Sequence, residues 1–185
     1  MDAARSLFTD FGYKSVSMEQ IAQKANVAKG TIYLYFKDKD ALFSYLSGEL
    51  LEEIKSFVFS ITMKKLSLFE EIHQVVYNLL MMRTQQKFIY RIAREARELK
   101  TPSACTMMEM IQQQIAGYIE EKLHEGIEQK VIKPCNVSVL AFVVLQVYSA
   151  LAFEWEEKHE PLNERQIAES VSLFLKDGLI MKQNL

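Results

Sequence analysis

The sequence predicts an all-α protein of about nine helices, because three observations agree on that class. Only six Gly and three Pro occur in 185 residues, which is few for a chain built of strands and tight turns. Apolar residues recur at spacings of three and four, the period of a helix. Helix-start signals also return along the chain: Ser17 and Ser67 each precede a Gln or Glu by three residues, as in a capping box.

The predicted helices span residues 2–11, 18–25, 29–35, 39–63, 68–84, 86–99, 103–131, 137–157 and 164–181. Asp38 and Thr101 are expected to cap the fourth and the seventh helix. The first three helices are short and those after Asp38 are long. This change predicts a helix-turn-helix domain at residues 1–45 that precedes a helical ligand-binding and dimerisation domain at residues 46–185.

Composition places the chain among globular proteins, with 49% hydrophobic and 25% charged residues. The net charge of −2 argues against nucleic-acid binding by bulk charge, so that any such contact must be local. Cys105 and Cys135 have no spacing typical of a zinc or redox site, and we expect no cofactor. Without a secretory leader the protein is expected to be cytoplasmic.

A nearly apolar segment runs from Val137 to Phe153. It is shorter than the roughly 20 residues that span a bilayer, and Gln146 lies near its middle. We therefore predict no membrane contact and interpret the segment as a helix buried on all sides, within the protein or between two copies.

The most informative stretch runs from Ser17 to Leu42. Its first helix is predicted to face inward with Ile21, Ala22 and Ala25. The next helix begins at Lys29, Gly30 and Thr31, which present short polar and cationic groups at the end that a helix-turn-helix inserts into the major groove.

Aromatic residues follow in alternation with polar ones. Ile32 and Phe36 are expected to pack inward, while the hydroxyls of Tyr33 and Tyr35 reach phosphate oxygens. Lys39, near the start of the next helix, is expected to form a second phosphate contact.

At these residues the chain resembles the tetracycline-repressor (TetR) family of bacterial one-component regulators. The matching pattern spans nearly all of residues 3–45 and comprises Ala3-Ala4, Leu7-Phe8, Phe11-Gly12-Tyr13, Ser17-Met18, Ile21-Ala22, Ala25, Val27, Lys29-Gly30-Thr31-Ile32-Tyr33, Tyr35-Phe36-Lys37, Lys39 and Leu42. The resemblance implies that Ser17 or Met18 abuts phosphate and that residues 29–31 face bases. It implies that Tyr33, Tyr35 and Lys39 hold the DNA backbone.

The resemblance further implies a regulator, expected to be a repressor, that binds a palindromic operator as a homodimer. An apolar small-molecule effector would release the regulator from its operator by shifting the fourth helix, residues 39–63. One departure concerns charge: residues 1–50 contain six basic and six acidic side chains. Affinity is therefore expected to depend on few phosphate contacts.

The last two helices are the predicted self-association surface, since their apolar residues exceed what one core can take. The predicted contacts are Leu140, Val144, Val147, Leu151, Val171, Leu175 and Leu179. A monomeric bundle that buries the same helix is the alternative.

Methionine and aromatic residues on the middle helices suggest an apolar effector pocket. The candidates are Phe57, Tyr77, Met81, Met82, Phe88, Met107, Met108, Ile111, Tyr118 and Phe153. The alternative is that such residues form ordinary core.

Two other functions compete with an effector-responsive regulator. A di-metal oxidase needs Glu-x-x-His on two helices, and the spacing occurs at Glu70/His73, Glu121/His124 and Glu156/His159; the last two pairs lie in charged stretches typical of solvated faces. A DNA-bound structural or cell-division factor would keep the helix-turn-helix and answer to a protein partner.

Overall fold

The computed structural model describes the backbone of residues 1–179 and their side chains, apart from those of residues 83–85, 157 and 174–179. Within that range nine α-helices follow one another, which confirms the predicted class. They are α1 (Asp2–Phe11), α2 (Met18–Lys24), α3 (Lys29–Tyr35), α4 (Lys39–Thr62), α5 (Leu68–Gln85), α6 (Lys87–Leu99), α7 (Pro102–Glu128), α8 (Val137–Ser149) and α9 (Glu164–Leu179).

Two helix ends differ from the prediction by more than two residues. Helix α7 ends at Glu128, because Lys130 adopts a left-handed backbone with φ 58° and the amides of Val131 and Ile132 bond back to the carbonyl of Gly126 at 2.9 and 3.0 Å. After α8 the chain changes to a π-helical turn at Ala150–Glu154 and then to a 3-10 turn. The predicted helix 137–157 is thus three different elements.

The capping predictions are largely confirmed. The Ser17 hydroxyl accepts from the Gln20 amide at 3.2 Å, and the Gln20 side chain accepts from the Ser17 amide at 2.7 Å. Asp38 accepts from the Ala41 amide at 2.7 Å. The prediction for Thr101 is wrong: its hydroxyl is buried and has no hydrogen-bond partner in the described part of the chain.

Contacts between backbones divide the chain into two compact units. Unit 1 comprises Met1–Ser56 and Met82–Gln112, and unit 2 comprises Phe57–Met81 and the chain from Gln113 onward. Helix α6 thus packs in the same unit as the N-terminal helices. This structural division differs from the predicted boundary after residue 45, and the functional boundary stays a prediction.

Unit 1 is built around aromatic residues from α1, α4 and α6. The ring of Phe43 meets those of Phe8, Tyr13 and Phe88 at centroid distances of 5.4, 4.7 and 6.5 Å. Phe88 is only 6% exposed, and the guanidinium of Arg5 lies 5.8 Å from its centroid. Phe88, a predicted pocket residue, therefore belongs to the packed core of unit 1.

Unit 2 holds a buried polar cluster whose members come from the end of α4, from α5 and from α7. One carboxylate oxygen of Glu71 lies 3.1, 3.0 and 3.2 Å from the polar atoms of Thr62, Tyr118 and Lys122. Lys122 also contacts Glu125 at 2.9 Å, so the buried charges are paired. Burial, reinforced by the nearby Glu71, raises the pKa of Tyr118. The predicted pocket residue Tyr118 thus has its hydroxyl engaged inside the unit.

Helix α8 has one buried and one exposed apolar face within the protomer. Val144 and Tyr148 are buried, whereas Val139 and Phe142 are 58% and 61% exposed. Burial on all sides is therefore not achieved within one chain. Among the described residues, the stretch Val137–Glu154 is long and apolar enough to cross a membrane. Core helices of soluble proteins also meet this criterion of length and composition.

Candidate nucleic-acid interface

Helix α3 presents almost its whole surface to solvent. It follows the extended residue Ala28, and Ile32 is its only buried residue. The predicted base-facing residues Lys29, Gly30 and Thr31 are exposed together on its first turn. A short helix that the protein core holds by one side chain leaves its N-terminal turn open to a partner.

Gly30 has no packing role in the described chain. A Cβ built at this position meets no atom within 4 Å, and its φ is not positive. Glycine is therefore not required by the fold there, although it lowers helix stability by about 0.5–1 kcal/mol relative to alanine.

Lys29 is held by a neighbouring acid. Its ammonium pairs with the carboxylate of Glu19 on α2, and this hydrogen bond raises the pKa of Lys29 and lowers the pKa of Glu19. Both side chains are exposed. Because an exposed pair contributes little to stability, Lys29 can exchange Glu19 for another anion at small cost.

The predicted phosphate-contacting tyrosines are accessible, with Tyr33 at 40% and Tyr35 at 78% exposure. Leu34 between them is 84% exposed and was missed by the sequence analysis. Its position opposite Ile32 on the helix was the available signal. An exposed leucine in this place offers an apolar contact of the kind that reads a thymine methyl.

At the start of α2 the structure separates two candidates that the sequence could not. Ser17 is half-buried and its hydroxyl caps the helix. Met18 is 5% exposed, so its side chain belongs to the core and the prediction that it abuts phosphate is wrong for the side chain. Ala25 is exposed and ends the helix as its C-cap, so its predicted inward position is also wrong.

Lys39 does not point to solvent as a phosphate contact. Its ammonium donates to the carbonyls of Tyr13 and Val16 at 2.8 and 2.7 Å and lies 4.3 Å from the centroid of the Tyr13 ring. Burial lowers the pKa of Lys39. In the free protein Lys39 thus holds the loop between α1 and α2, and its predicted phosphate contact stays a prediction.

The same loop is held from two other sides, which the sequence did not indicate. The buried carboxylate of Glu95 on α6 accepts from the amides of Tyr13 and Lys14 at 2.7 and 2.9 Å. Asp40 accepts from the Tyr13 hydroxyl and from Ser103 on α7, both at 2.5 Å. Burial and then Asp40 raise the pKa of Tyr13 to about 12, so its hydroxyl stays a donor.

Gly12 completes this arrangement. Its φ of 82° lies in the region that favours glycine, and an added Cβ would meet Glu95 Oε2 at 2.5 Å. The loop therefore fits around the carboxylate because residue 12 has no side chain.

The predicted pocket residues do not come together within one unit. Met82, Phe88, Met107, Met108 and Ile111 belong to unit 1, while Phe57, Tyr77, Met81, Tyr118 and Phe153 belong to unit 2. Met107 is 2% exposed and, like Phe88, is core.

A cavity of about 390 Å³ does occur inside unit 2, with other walls. Its lining comprises Lys64, Leu66, Phe69, Glu70, His73, Gln74, Tyr148, Ala168, Val171 and Ser172. His73 contacts the Tyr148 hydroxyl at 2.9 Å through Nδ1, and burial lowers the pKa of His73. From the sequence alone, the spacing of Glu70 and His73 points to His73 only as a metal ligand.

The predicted self-association residues divide into three groups. Val144 and Val171 are each 2% exposed, so the protomer's own core takes them and they are not available to a second copy. Leu140, Val147 and Leu151 are half-buried. The side chains of Leu175 and Leu179 lie outside the described residues.

Among the side chains that the structure describes, no group of three or more His, Cys, Asp or Glu residues could hold a metal ion. His159, a member of one predicted pair, instead stacks on Trp155 with centroids 4.0 Å apart.

Comparison with known proteins adds a relationship to this geometry. The sequence profile of the bacterial regulatory proteins of the tetR family matches residues 1–46. The HTH-type transcriptional regulator YhgD of Bacillus subtilis is 36% identical over 179 residues, which cover 97% of this chain and 94% of that protein. A fatty acid metabolism regulator of Bacillus subtilis is 39% identical over 59 residues, 30% of each chain.

Solved structures share the fold along nearly the whole chain. A TetR-family transcriptional regulator of Pectobacterium atrosepticum superposes with a TM-score of 0.69 at 20% identity and covers 99% of this chain and 93% of that one. The fatty acid degradation regulator FadR of Bacillus halodurans gives a TM-score of 0.69 at 19% identity, with coverage of 94% and 90%.

Proposed function

The chain belongs to the TetR family of bacterial transcriptional regulators, and from this we propose that it binds a palindromic operator as a homodimer, with α3 of each protomer in the major groove. The observation that carries the proposal is the exposure of α3, which keeps only Ile32 in the core. A helix so placed can enter a groove without unfolding its neighbours. Because bacterial operator DNA lies in the cytoplasm, we propose that the protein acts there.

We assign base reading to the first turn of α3 and backbone contacts to its aromatic residues. Lys29, Gly30 and Thr31 lie at the helix N-terminus, where short side chains allow close approach to base edges. The hydroxyls of Tyr33 and Tyr35 are suited to phosphate oxygens. The half-buried Ser17 would add a phosphate contact at the start of α2.

Comparing Lys29→Ala with Tyr33→Ala tests this assignment. Lys29→Ala should lower discrimination at one base pair of the operator by about 1–3 kcal/mol, whereas Tyr33→Ala should weaken binding to operator and to random DNA by similar factors. Fluorescence anisotropy with the operator and single-base-pair variants measures both. If Lys29→Ala lost equal affinity for operator and for random DNA, Lys29 would not contact bases. If the wild type preferred no promoter fragment, the proposed function would be refuted.

We propose that two protomers associate through the faces of α8 and α9 that the single chain leaves exposed. Val139 and Phe142 on α8 and Leu173 on α9 are each more than half exposed. Apolar side chains of this size gain by removal from water. Of the predicted contacts, the half-buried Leu140, Val147 and Leu151 fit beside them.

We further propose that an apolar small molecule regulates DNA binding from within unit 2. Support comes from its cavity, where apolar side chains such as Leu66, Phe69 and Val171 lie beside polar ones such as His73 and Tyr148. Ligand sites combine apolar contact area with polar groups that fix orientation. A thermal-shift panel of apolar, anionic and cationic compounds tests this, because a ligand that binds only the folded state raises Tm. A hit should also weaken operator binding. Failure of every compound across a broad panel would favour a DNA-bound factor that answers to a protein partner.

A further inference from the structure

Helix α6 supplies positive charge that the N-terminal helices lack. Residues 1–50 carry equal numbers of basic and acidic side chains, so DNA binding by these helices alone has few cations to draw on. Helix α6, with sequence KFIYRIAREAREL, contains four basic and two acidic residues. It packs in the same unit as the N-terminal helices.

Contacts place the C-terminal half of α6 beside the loop that leads into α2. The guanidinium of Arg91 donates to the Phe11 carbonyl at 3.1 Å. A cavity of about 190 Å³ is lined by both segments: Phe11, Lys14, Ser15, Arg91, Arg94, Glu95, Glu98 and Leu99. Arg91 and Arg94 of α6 and the loop cation Lys14 therefore border one surface. Arg97 adjoins it, with its guanidinium 3.9 Å from the carboxylate of the lining residue Glu98.

The acids in this surface are already engaged. Both oxygens of Glu95 accept from backbone amides of the loop, and the carboxylate is only 5% exposed. Glu98 contacts Arg94 at 3.0 and 3.1 Å. Arg94 and Arg97 have side chains that are 49% and 67% exposed, and Lys14 is exposed as well. Because the cations Lys14, Arg91, Arg94 and Arg97 outnumber the carboxylates Glu95 and Glu98, the surface has a net positive charge even with these ion pairs formed.

The surface also lies close to the DNA-contacting region. Lys14 precedes Ser17, the N-cap of α2, by three residues, a separation of at most roughly 11 Å along the chain. One strand of a duplex carries a charge for about every 3.4 Å of helix axis. A strand that passes the start of α2 therefore brings neighbouring phosphates within reach of Lys14 and the adjacent arginines.

We propose that Lys14, Arg94 and Arg97 form a second phosphate-binding surface on the same operator, outside the helix-turn-helix. The inference rests on the proposed function. Arg91 has a positioning role, because its Nη2 holds the loop and its Nε is buried without a partner in the described chain. The second surface offsets the charge balance of the N-terminal helices and lengthens the footprint along one strand.

The dependence of operator affinity on salt tests the proposal. Each lost phosphate contact should reduce the slope of log K against log salt by about 0.9, so Lys14→Ala, Arg94→Ala and Arg97→Ala should reduce it stepwise when combined. The loss of affinity should be larger at low salt than at high salt. Arg165→Ala is the matched control: Arg165 also pairs with an acid four residues on, Glu169, at 2.7 Å, but on α9.

Operators with single neutral methylphosphonate linkages then locate the contacts. At one or more positions, neutralisation should weaken the wild type and leave the triple variant unchanged. The inference would be overturned if the triple variant kept the wild-type salt slope and responded to every methylphosphonate substitution as Arg165→Ala does. Operator binding by the wild type would then still support the proposed function. A wild type with no operator preference would overturn both.

Discussion

We expect Glu95→Ala to lower the free energy of unfolding by about 3–5 kcal/mol, since two buried hydrogen bonds to a charged acceptor contribute about 1.5–3 kcal/mol each. The carboxylate is the acceptor for the amides of Tyr13 and Lys14, which alanine leaves without a partner. For a chain of this size the loss corresponds to a fall in Tm on the order of 10 °C. Thermal and urea unfolding followed by circular dichroism measure it.

Two companion variants make this result specific. Glu98→Ala removes a carboxylate from the same helix, but one that is exposed and pairs with Arg94, and should change stability by less than about 0.5 kcal/mol. Glu95→Gln keeps one acceptor oxygen and should fall between the two. If Glu95→Ala were as stable as Glu98→Ala, the loop between α1 and α2 would not depend on α6.

Gly30→Ala should reduce operator affinity roughly 5- to 150-fold, the equivalent of about 1–3 kcal/mol for an overpacked contact, while stabilising the free protein. The protein leaves space for the new methyl group, and alanine favours the helix. In the proposed complex the major groove of the DNA leaves no space for this methyl group, because the backbone at the N-terminus of α3 approaches the bases. Titration with operator DNA and thermal unfolding measure the two effects.

Gly48→Ala is the matched control for Gly30→Ala. A Cβ at Gly48, within α4 of the same unit, also meets no atom within 4 Å. It should stabilise the protein by a similar amount and leave operator affinity unchanged. If Gly30→Ala also left operator affinity unchanged, the first turn of α3 would not be the part of the protein that approaches DNA most closely.

Much of the fold was predictable from sequence signals that involve only neighbouring residues. Helix spacing follows from the apolar period, and Ser17 and Asp38 cap helices because a cap involves atoms within three residues of each other. The cap predicted at Thr101 is wrong, because its hydroxyl is buried. Two residues later, Ser103 bonds to Asp40, more than sixty residues away in sequence. No local pattern encodes such a partner.

The candidate interface divides in the same way. The exposed turn at Lys29 to Thr31 was predictable, since none of these three residues has an apolar side chain that the core would take up. Lys39 was not, because a lysine beside a predicted interface has the same sequence signature whether it points to DNA or to the carbonyls of its own chain. The cavity of unit 2 was missed because its walls are drawn from segments distant in sequence.

Residue order alone indicates the helical class, the family and the proposed recognition helix α3, since periodicity, caps and motif spacing are properties of neighbouring residues. The folded chain then shows that Met18, Phe88, Val144 and Val171 are core residues, and that Glu95 and Lys39 hold the loop before α2. It also shows that α6 places Arg91 and Arg94 beside that loop. Burial and hydrogen-bond partnership depend on which distant segments meet, and that meeting is a property of the folded chain as a whole.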